Sequence, residues 1–243
     1  EILDVESDEP EEKESEQETD QESETEYEIE ESKKKTFHDF KKERVEKDVM
    51  SGQIWAAYDD IESLPRYYFK VKEIHSRDPF KANITWLDLR NMSVEQRALK
   101  ERGYHPVCGA NFRGSSSQIV NSVDIFSHVI NWEKGPKGTI KIYPTKGEVW
   151  AIYRGRKSGI LSKRKSSSFM YDIVEIVGSY DEQTGVTIAY LVKLFHYKSV
   201  FKSSKVISSI PAEEFYSFSY QVPAHRLKGN EAPGIEEGFW ELD

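Results

Sequence analysis

One cysteine, Cys108, stands in 243 residues. No disulfide can close within the chain, and a zinc site built from several thiolates is excluded. No apolar run approaches the roughly 20 residues needed to cross a bilayer as a helix, and no signal peptide is legible, so no membrane partner is expected. The six histidines, His38, His75, His105, His128, His196 and His225, show no metal-ligand spacing. A Gly-x-Ser-x-Gly elbow and a glycine-rich phosphate loop are both missing, and Cys108 lacks the local signature of a nucleophile. No catalytic residue, metal or cofactor is expected. Glu1 at the start and Trp240-Glu241-Leu242-Asp243 at the end read as cuts, which points to a piece of a longer protein.

Charge is present but unevenly spread. The net of −9 comes from 34 Lys and Arg against 43 Asp and Glu. Seventeen of those acids lie in residues 1–32, where Lys13 is the sole base, so the remainder is mildly basic. Few apolar residues and like charges predict a disordered acidic leader over 1–35. The other residues suit one elongated domain or two small ones.

What fills those residues is a repetition. Gly52-Gln53-Ile54-Trp55-Ala56-Ala57-Tyr58 returns as Gly147-Glu148-Val149-Trp150-Ala151-Ile152-Tyr153. Downstream, Tyr68 to Ile74 is answered by Tyr171 to Val177, Ile84-Thr85-Trp86-Leu87 by Ile188-Ala189-Tyr190-Leu191, and Phe126-Ser127-His128 by Phe218-Ser219-Tyr220. Four echoes in one order imply a duplicated β unit. Short strands at close intervals with few helices predict a mainly β fold, each half the length of a five-stranded SH3-like barrel. The first repeat is placed at 36–140 and the second at 141–243. Helices are expected at Ser93 to Arg102 and, as a single turn, at Pro211 to Tyr216, with an arm over Lys33 to Val49 and a polar loop over Gly114 to Asn121.

The repeated residues are aromatic and strand-forming, so binding is the leading expectation. Trp55, Tyr58, Tyr67, Tyr68 and Trp86 cluster around the first hairpin. They fit a core, and they equally fit a cage in which ring faces surround a cation at about 0.5–2 kcal/mol per contact. Asp59 and Asp60 would stand at its rim, and methylated lysine is the natural guest. The second repeat offers Trp150, Tyr153 and Tyr171 but no acidic turn, and Met170 is placed opposite Tyr67. Its turn is replaced by a basic loop carrying Arg154, Arg156, Lys157, Lys163, Arg164 and Lys165, a candidate for phosphate contacts with nucleic acid.

Several phrases carry a family resemblance: Gly52 to Asp60, Leu64-Pro65-Arg66-Tyr67-Tyr68, Cys108-Gly109-Ala110-Asn111-Phe112, Phe126-Ser127-His128, Ile142 to Ala151, Phe218 to Ala224 and the closing Trp240-Glu241-Leu242-Asp243. Together they resemble the plant-specific domain at the C-terminal end of many J-domain (DnaJ-type) proteins, once a domain of unknown function. The resemblance covers roughly 36–243 and implies a nuclear protein of transcription regulation, partnered by methyl-DNA-binding histone-methyltransferase-like proteins. An Hsp70 would be engaged only through a J domain, whose His-Pro-Asp this chain lacks. Trp55-Ala56 followed by Leu64-Pro65-Arg66-Tyr67 is also similar to the opening hairpin of PWWP and Tudor chromatin readers. That likeness implies two SH3- or Tudor-like barrels, with Tyr58 and Tyr67 lining a pocket for a histone tail. Two further readings stay open: a docking or dimerisation scaffold, and nucleic-acid binding through the loop.

Overall fold

Glycine at 52 and at 147 starts each half the same way. Both take a left-handed backbone, φ +90° and +91°, which side chains other than glycine rarely adopt. The turn lets Gln53 Oε1 accept from the Trp55 indole at 2.9 Å and the Met50 amide at 2.8 Å. Glu148 Oε2 does the same for the Trp150 indole and the Thr145 amide, each at 2.9 Å. A buried indole N–H without a partner would cost about 1–3 kcal/mol. The Gly-Gln/Glu-x-Trp phrase is therefore a device for sinking a tryptophan with its polar edge satisfied.

The computed structural model describes residues 37–90, 92, 94–154 and 169–243. The first sheet contains β1 (Ile54–Tyr58), β2 (Pro65–Arg77), β3 (Phe80–Arg90), β4 (Asn111–Val120), β5 (Phe126–Val129), β6 (Glu133–Lys134) and β7 (Ile140–Lys141), with helix α1 (Val94–Glu101) between β3 and β4. The second contains β8 (Val149–Tyr153), β9 (Tyr171–Ile176), β10 (Val186–Lys193), β11 (Val200–Ile210), β12 (Phe218–Val222), β13 (Ala224–Lys228) and β14 (Glu237–Leu242). Strand order is β5-β1-β2-β3-β4-β7-β6 in one and β12-β8-β9-β10-β11-β14-β13 in the other, the same path walked twice. The fold is mainly β and duplicated. Each half has seven strands rather than the five of an SH3-like barrel, the added pair being β6 with β7 and β13 with β14.

Register refines the match between the halves. Trp55 faces Phe69 and Trp150 faces Val174, so Phe69 corresponds to Val174 and Tyr68 to Ile173. The sequence alignment of Tyr68 with Tyr171 is two residues out, and Tyr67 matches Asp172 rather than Met170. The first half also carries a bulge that the second lacks: Ala57 pairs with Tyr67 but Tyr58 with Pro65, leaving Arg66 as an extra residue. A two-residue slip preserves which face each side chain takes, so alternation alone could not reveal it. Trp86 and Tyr190 do correspond, as do Phe126 and Phe218.

The polar stretch expected to be a loop after Gly114 is instead most of β4. Thr85 pairs with Ser117 and Asn83 with Ile119, so backbone ladder bonds hold a strand that lacks an apolar face. The arm over 37–49 contains two short 3-10 turns, Phe40–Glu43 and Glu46–Asp48, with Phe40 and Val49 buried. Helix α1 sits within the expected span and Gly103 ends it at φ +90°. The expected turn near Pro211 is a 3-10 helix, Ala212–Ser217.

Residues 37–243 form one compact unit. Trp55, Ala57, Phe69, Ile84 and Phe126 make a core on the inner face of the first sheet. The outer face of that sheet, Ile54, Ala56, Tyr68 and Leu87, shares a second core with the inner face of the next, Trp150, Ile152, Val174, Ile188 and Phe218. A third, around Val149, Ala151, Leu191, Trp240 and Leu242, closes the outer face of the second sheet.

Candidate functional site

Strand geometry decides which of the expected cage rings can meet a ligand. Trp55 is 2% exposed, edge-on to Phe126 at 5.2 Å, and Trp150 is fully buried against Phe218 at 5.4 Å. Both are core side chains, and neither lines an open pocket. Apolar burial of this size is worth about 1.5–3 kcal/mol per ring, which outweighs any single cation contact.

Tyr153 and Tyr171 do gather around a cation, but the cation is the chain's own. The bulge at Arg66 aims its guanidinium across to the second repeat, 5.8 Å from the Tyr171 ring centroid and hydrogen-bonded to the Tyr171 hydroxyl. Nη1 pairs with Glu62, and with Asp59 Oδ2 at 3.4 Å. The Arg66 side chain is only 4% exposed and that of Asp59 5%. Tyr153 lies edge-on to Tyr104 at 4.7 Å and beside Phe169, and Tyr171 is edge-on to Tyr220 at 5.7 Å. Burial lowers the Arg66 pKa, but the phenols of Tyr153 and Tyr171 and the Glu62 carboxylate outweigh it, so the net shift is upward. Burial pushes the Tyr153, Tyr171 and Tyr220 hydroxyls up, with Arg66 opposing, so these groups stay neutral around a fixed charge.

Tyr58 is spent in the same way. The Arg44 guanidinium lies 5.5 Å from its ring centroid, and its hydroxyl donates to Asp243 Oδ2 at 3.4 Å. Asp59 is no rim carboxylate: Oδ1 accepts from the amides of Ile61 at 2.9 Å and Glu62 at 2.6 Å, closing the turn. Its role is to fold the hairpin and neutralise Arg66.

Tyr67 and Trp86 remain. Tyr67 lies two residues from Phe69, and Phe69 pairs with Trp86, so all three project from the inner face of the first sheet. Phe69 is buried, whereas Tyr67 is 44% exposed and Trp86 partly so. The small Ala57 opposite Tyr67 leaves its flank open. The Trp86 indole donates to Gln118 Oε1 at 2.8 Å and stands edge-on to Phe69 at 5.5 Å, which fixes its plane. Tyr67 meets His105 edge-on at 5.7 Å. Burial and then Arg66 lower the His105 pKa, favouring a neutral neighbour. Asp88, two residues beyond Trp86, shares this face and is exposed, and Asp60 is exposed in the turn. Asp88 escaped the sequence reading because it lies in no repeated phrase.

In the basic loop, Arg154 donates through Nε to Asp172 at 2.7 Å and through Nη2 to the Tyr171 carbonyl at 3.1 Å. It is engaged within its own hairpin. Arg156, Lys157, Lys163, Arg164 and Lys165 lie outside the described residues. Among the described residues, no group of three or more His, Cys, Asp or Glu is placed to hold a metal, and no helix is long and apolar enough to cross a membrane.

His128 occupies the position of Tyr220. Its Nδ1 bonds Ser127 Oγ at 2.9 Å, and its Nε2 is buried. Burial pushes its pKa down to about 4 from 6.5, with Gln221 opposing and Arg44 adding to the fall. The unfolded chain therefore binds this proton first as pH drops. Stability that is whole above pH 6.5 is lost progressively towards pH 4, by about 3 kcal/mol in all. Between pH 7 and 4.5 His128→Tyr should lose about 2 kcal/mol less than the unaltered protein, measured by urea denaturation. Equal losses would show that His128 charges freely in the folded state.

A duplicated seven-stranded sheet, with Tyr67 and Trp86 partly exposed on one face of the first copy, defines a tandem β module. The chain belongs to the family of the domain of unknown function DUF3444, whose family model matches residues 23–231. No curated protein and no solved structure matches it.

Proposed function

We propose that the chain is a non-enzymatic binding module that takes a peptide on the face of the first sheet that carries Tyr67 and Trp86. The supporting observation is that Tyr67 and Trp86 share this face, on neighbouring strands, and are the two expected cage rings that keep part of their surface exposed and, among the described residues, meet no cation of the chain's own. Two electron-rich faces beside Asp88 and Asp60 suit a cationic side chain. The finer reading is a histone tail carrying methylated lysine, in the nuclear, chromatin-associated setting that the resemblance to J-domain transcriptional co-regulators implies. In that setting a methyl-DNA-binding histone-methyltransferase-like protein would be a second partner.

Isothermal calorimetry with trimethylated and unmodified histone peptides tests this reading. The methylated peptide should bind about three- to tenfold more tightly, and Tyr67→Ala should remove that preference, as one or two exposed cation–π contacts of about 0.5–1 kcal/mol each allow. Equal affinity for both peptides, unchanged by Tyr67→Ala, would overturn the reader and leave a docking scaffold. Affinity that depends instead on residues 154–165 and falls steeply with salt would place nucleic acid on the loop.

A further inference from the structure

The two halves differ on the outer faces of their sheets, where one is plugged and the other is open. In the second half, Glu175 accepts from the Trp240 indole at 3.0 Å and from Arg226, whose guanidinium lies 4.0 Å over the Trp240 ring. Trp240 is 6% exposed. A carboxylate and an aromatic ring thus fill the outer face of that sheet between β9, β13 and β14.

Register gives the matching positions in the first half. Ile54 pairs with Lys70 as Val149 pairs with Glu175, so Lys70 stands where Glu175 does. Phe112 pairs with Leu89 and Ile140 as Phe201 pairs with Lys193 and Trp240, so Ile140 takes the place of Trp240. Lys134 opposes Ile140 as Arg226 opposes Trp240. The acceptor has become a cation, and the large ring has become a smaller aliphatic side chain. What results is a hollow of about 480 Å3, lined by Lys70, Lys72, Thr85, Leu87, Gly114 and Ile140. Its floor is apolar, with Leu87 and Ile140 largely buried. Lys72 and Lys134 are exposed beside it. Lys70 also lies 5.3 Å from the ring centroid of the exposed Trp132.

We infer that this groove docks an acidic segment of a partner protein that carries an aromatic side chain. The ring enters above Leu87 and Ile140, where Trp240 sits in the second half. Carboxylates flanking it meet Lys70, Lys72 and Lys134, supplying the charge that Glu175 provides internally. The second half is the bound form of the interaction, written into the chain. A nucleic acid fits less well, because the counterpart occupant is one ring beside one carboxylate and the floor is aliphatic. The groove lies on the opposite face of the sheet from Tyr67 and Trp86, so it stands apart from the proposed peptide-reading face.

Fluorescence anisotropy of the fluorescein-labelled peptide Gly-Glu-Glu-Trp-Glu-Glu-Gly, titrated with the full chain, tests the inference. Binding should saturate and weaken roughly tenfold when the peptide's Trp is replaced by Ala, and again with Lys70→Glu in the protein. Lys70→Gln should weaken it less, and covers the case in which the charge reversal does not fold. Ile140→Trp, which installs the second half's ring, should abolish binding while the circular dichroism spectrum and melting curve stay those of a folded chain. Tyr67→Ala should leave this peptide's binding intact even where it removes recognition of a histone peptide. No binding at millimolar peptide would overturn the inference. So would binding indifferent to Lys70→Gln and Ile140→Trp, or competition by oligothymidylate equal to that of the aromatic peptide.

Discussion

Arg66→Ala is expected to cost about 3–5 kcal/mol of folding stability, read as a fall in urea midpoint at unchanged slope. The guanidinium is buried and touches Asp59 and Glu62 in its own hairpin and Tyr171 in the other repeat. Removing it strands Asp59, whose side chain is 5% exposed, as an uncompensated charge, while Glu62, 39% exposed, can turn to water. Losing one partner of a buried pair is far more costly than losing both. Arg66→Met with Asp59→Asn should therefore recover part of the loss, since the aliphatic stem still fills the space and no bare carboxylate remains. Tyr171→Phe should cost only about 1 kcal/mol, the worth of one hydrogen bond. A loss below about 1 kcal/mol for Arg66→Ala would mean that water readily replaces the cation and that the junction holds by apolar contact alone.

Trp55→Ala and Trp150→Ala should each cost about 3–5 kcal/mol, and by similar amounts. The two rings have matched settings: an indole N–H held by residue 53 or 148, and a phenylalanine edge at 5.2 or 5.4 Å. Truncation leaves a cavity and takes a donor from Gln53 or Glu148. Thermal denaturation of the two variants checks this, and it separates core from ligand roles. If Trp55→Ala kept its melting temperature but lost peptide affinity, the ring would have to face a guest rather than Phe126.

The duplication was legible because its signals are local: a glycine for the turn, a hydrogen-bonding residue after it, a tryptophan to sink. The echoes fall on strands that hold the same places in the two sheets. What alternation could not show was which ring meets which charge. Arg66 and Tyr171 are 105 residues apart, and nothing near Arg66 in sequence marks it as the guest of a tyrosine cluster. Its direction depends on a bulge that the alternation of the sequence does not mark. Strand β4 was hidden for another reason: a serine-rich run has no apolar period, and only its neighbour's backbone makes it a strand. Asp59 was read as chemistry because it is acidic and lies in a turn, yet closing that turn is what its carboxylate does.

The shared core also fixes how such units can be joined. The back of the first sheet meets the front of the second, so the halves are related by a step rather than by a two-fold exchange. A stepwise arrangement is open-ended in principle, since each copy presents a back to which another could be added. Here the last back is sealed by Trp240 and Leu242. Strand β14 thus covers that face, and removing Glu237–Leu242 should expose a sticky apolar surface and drive self-association.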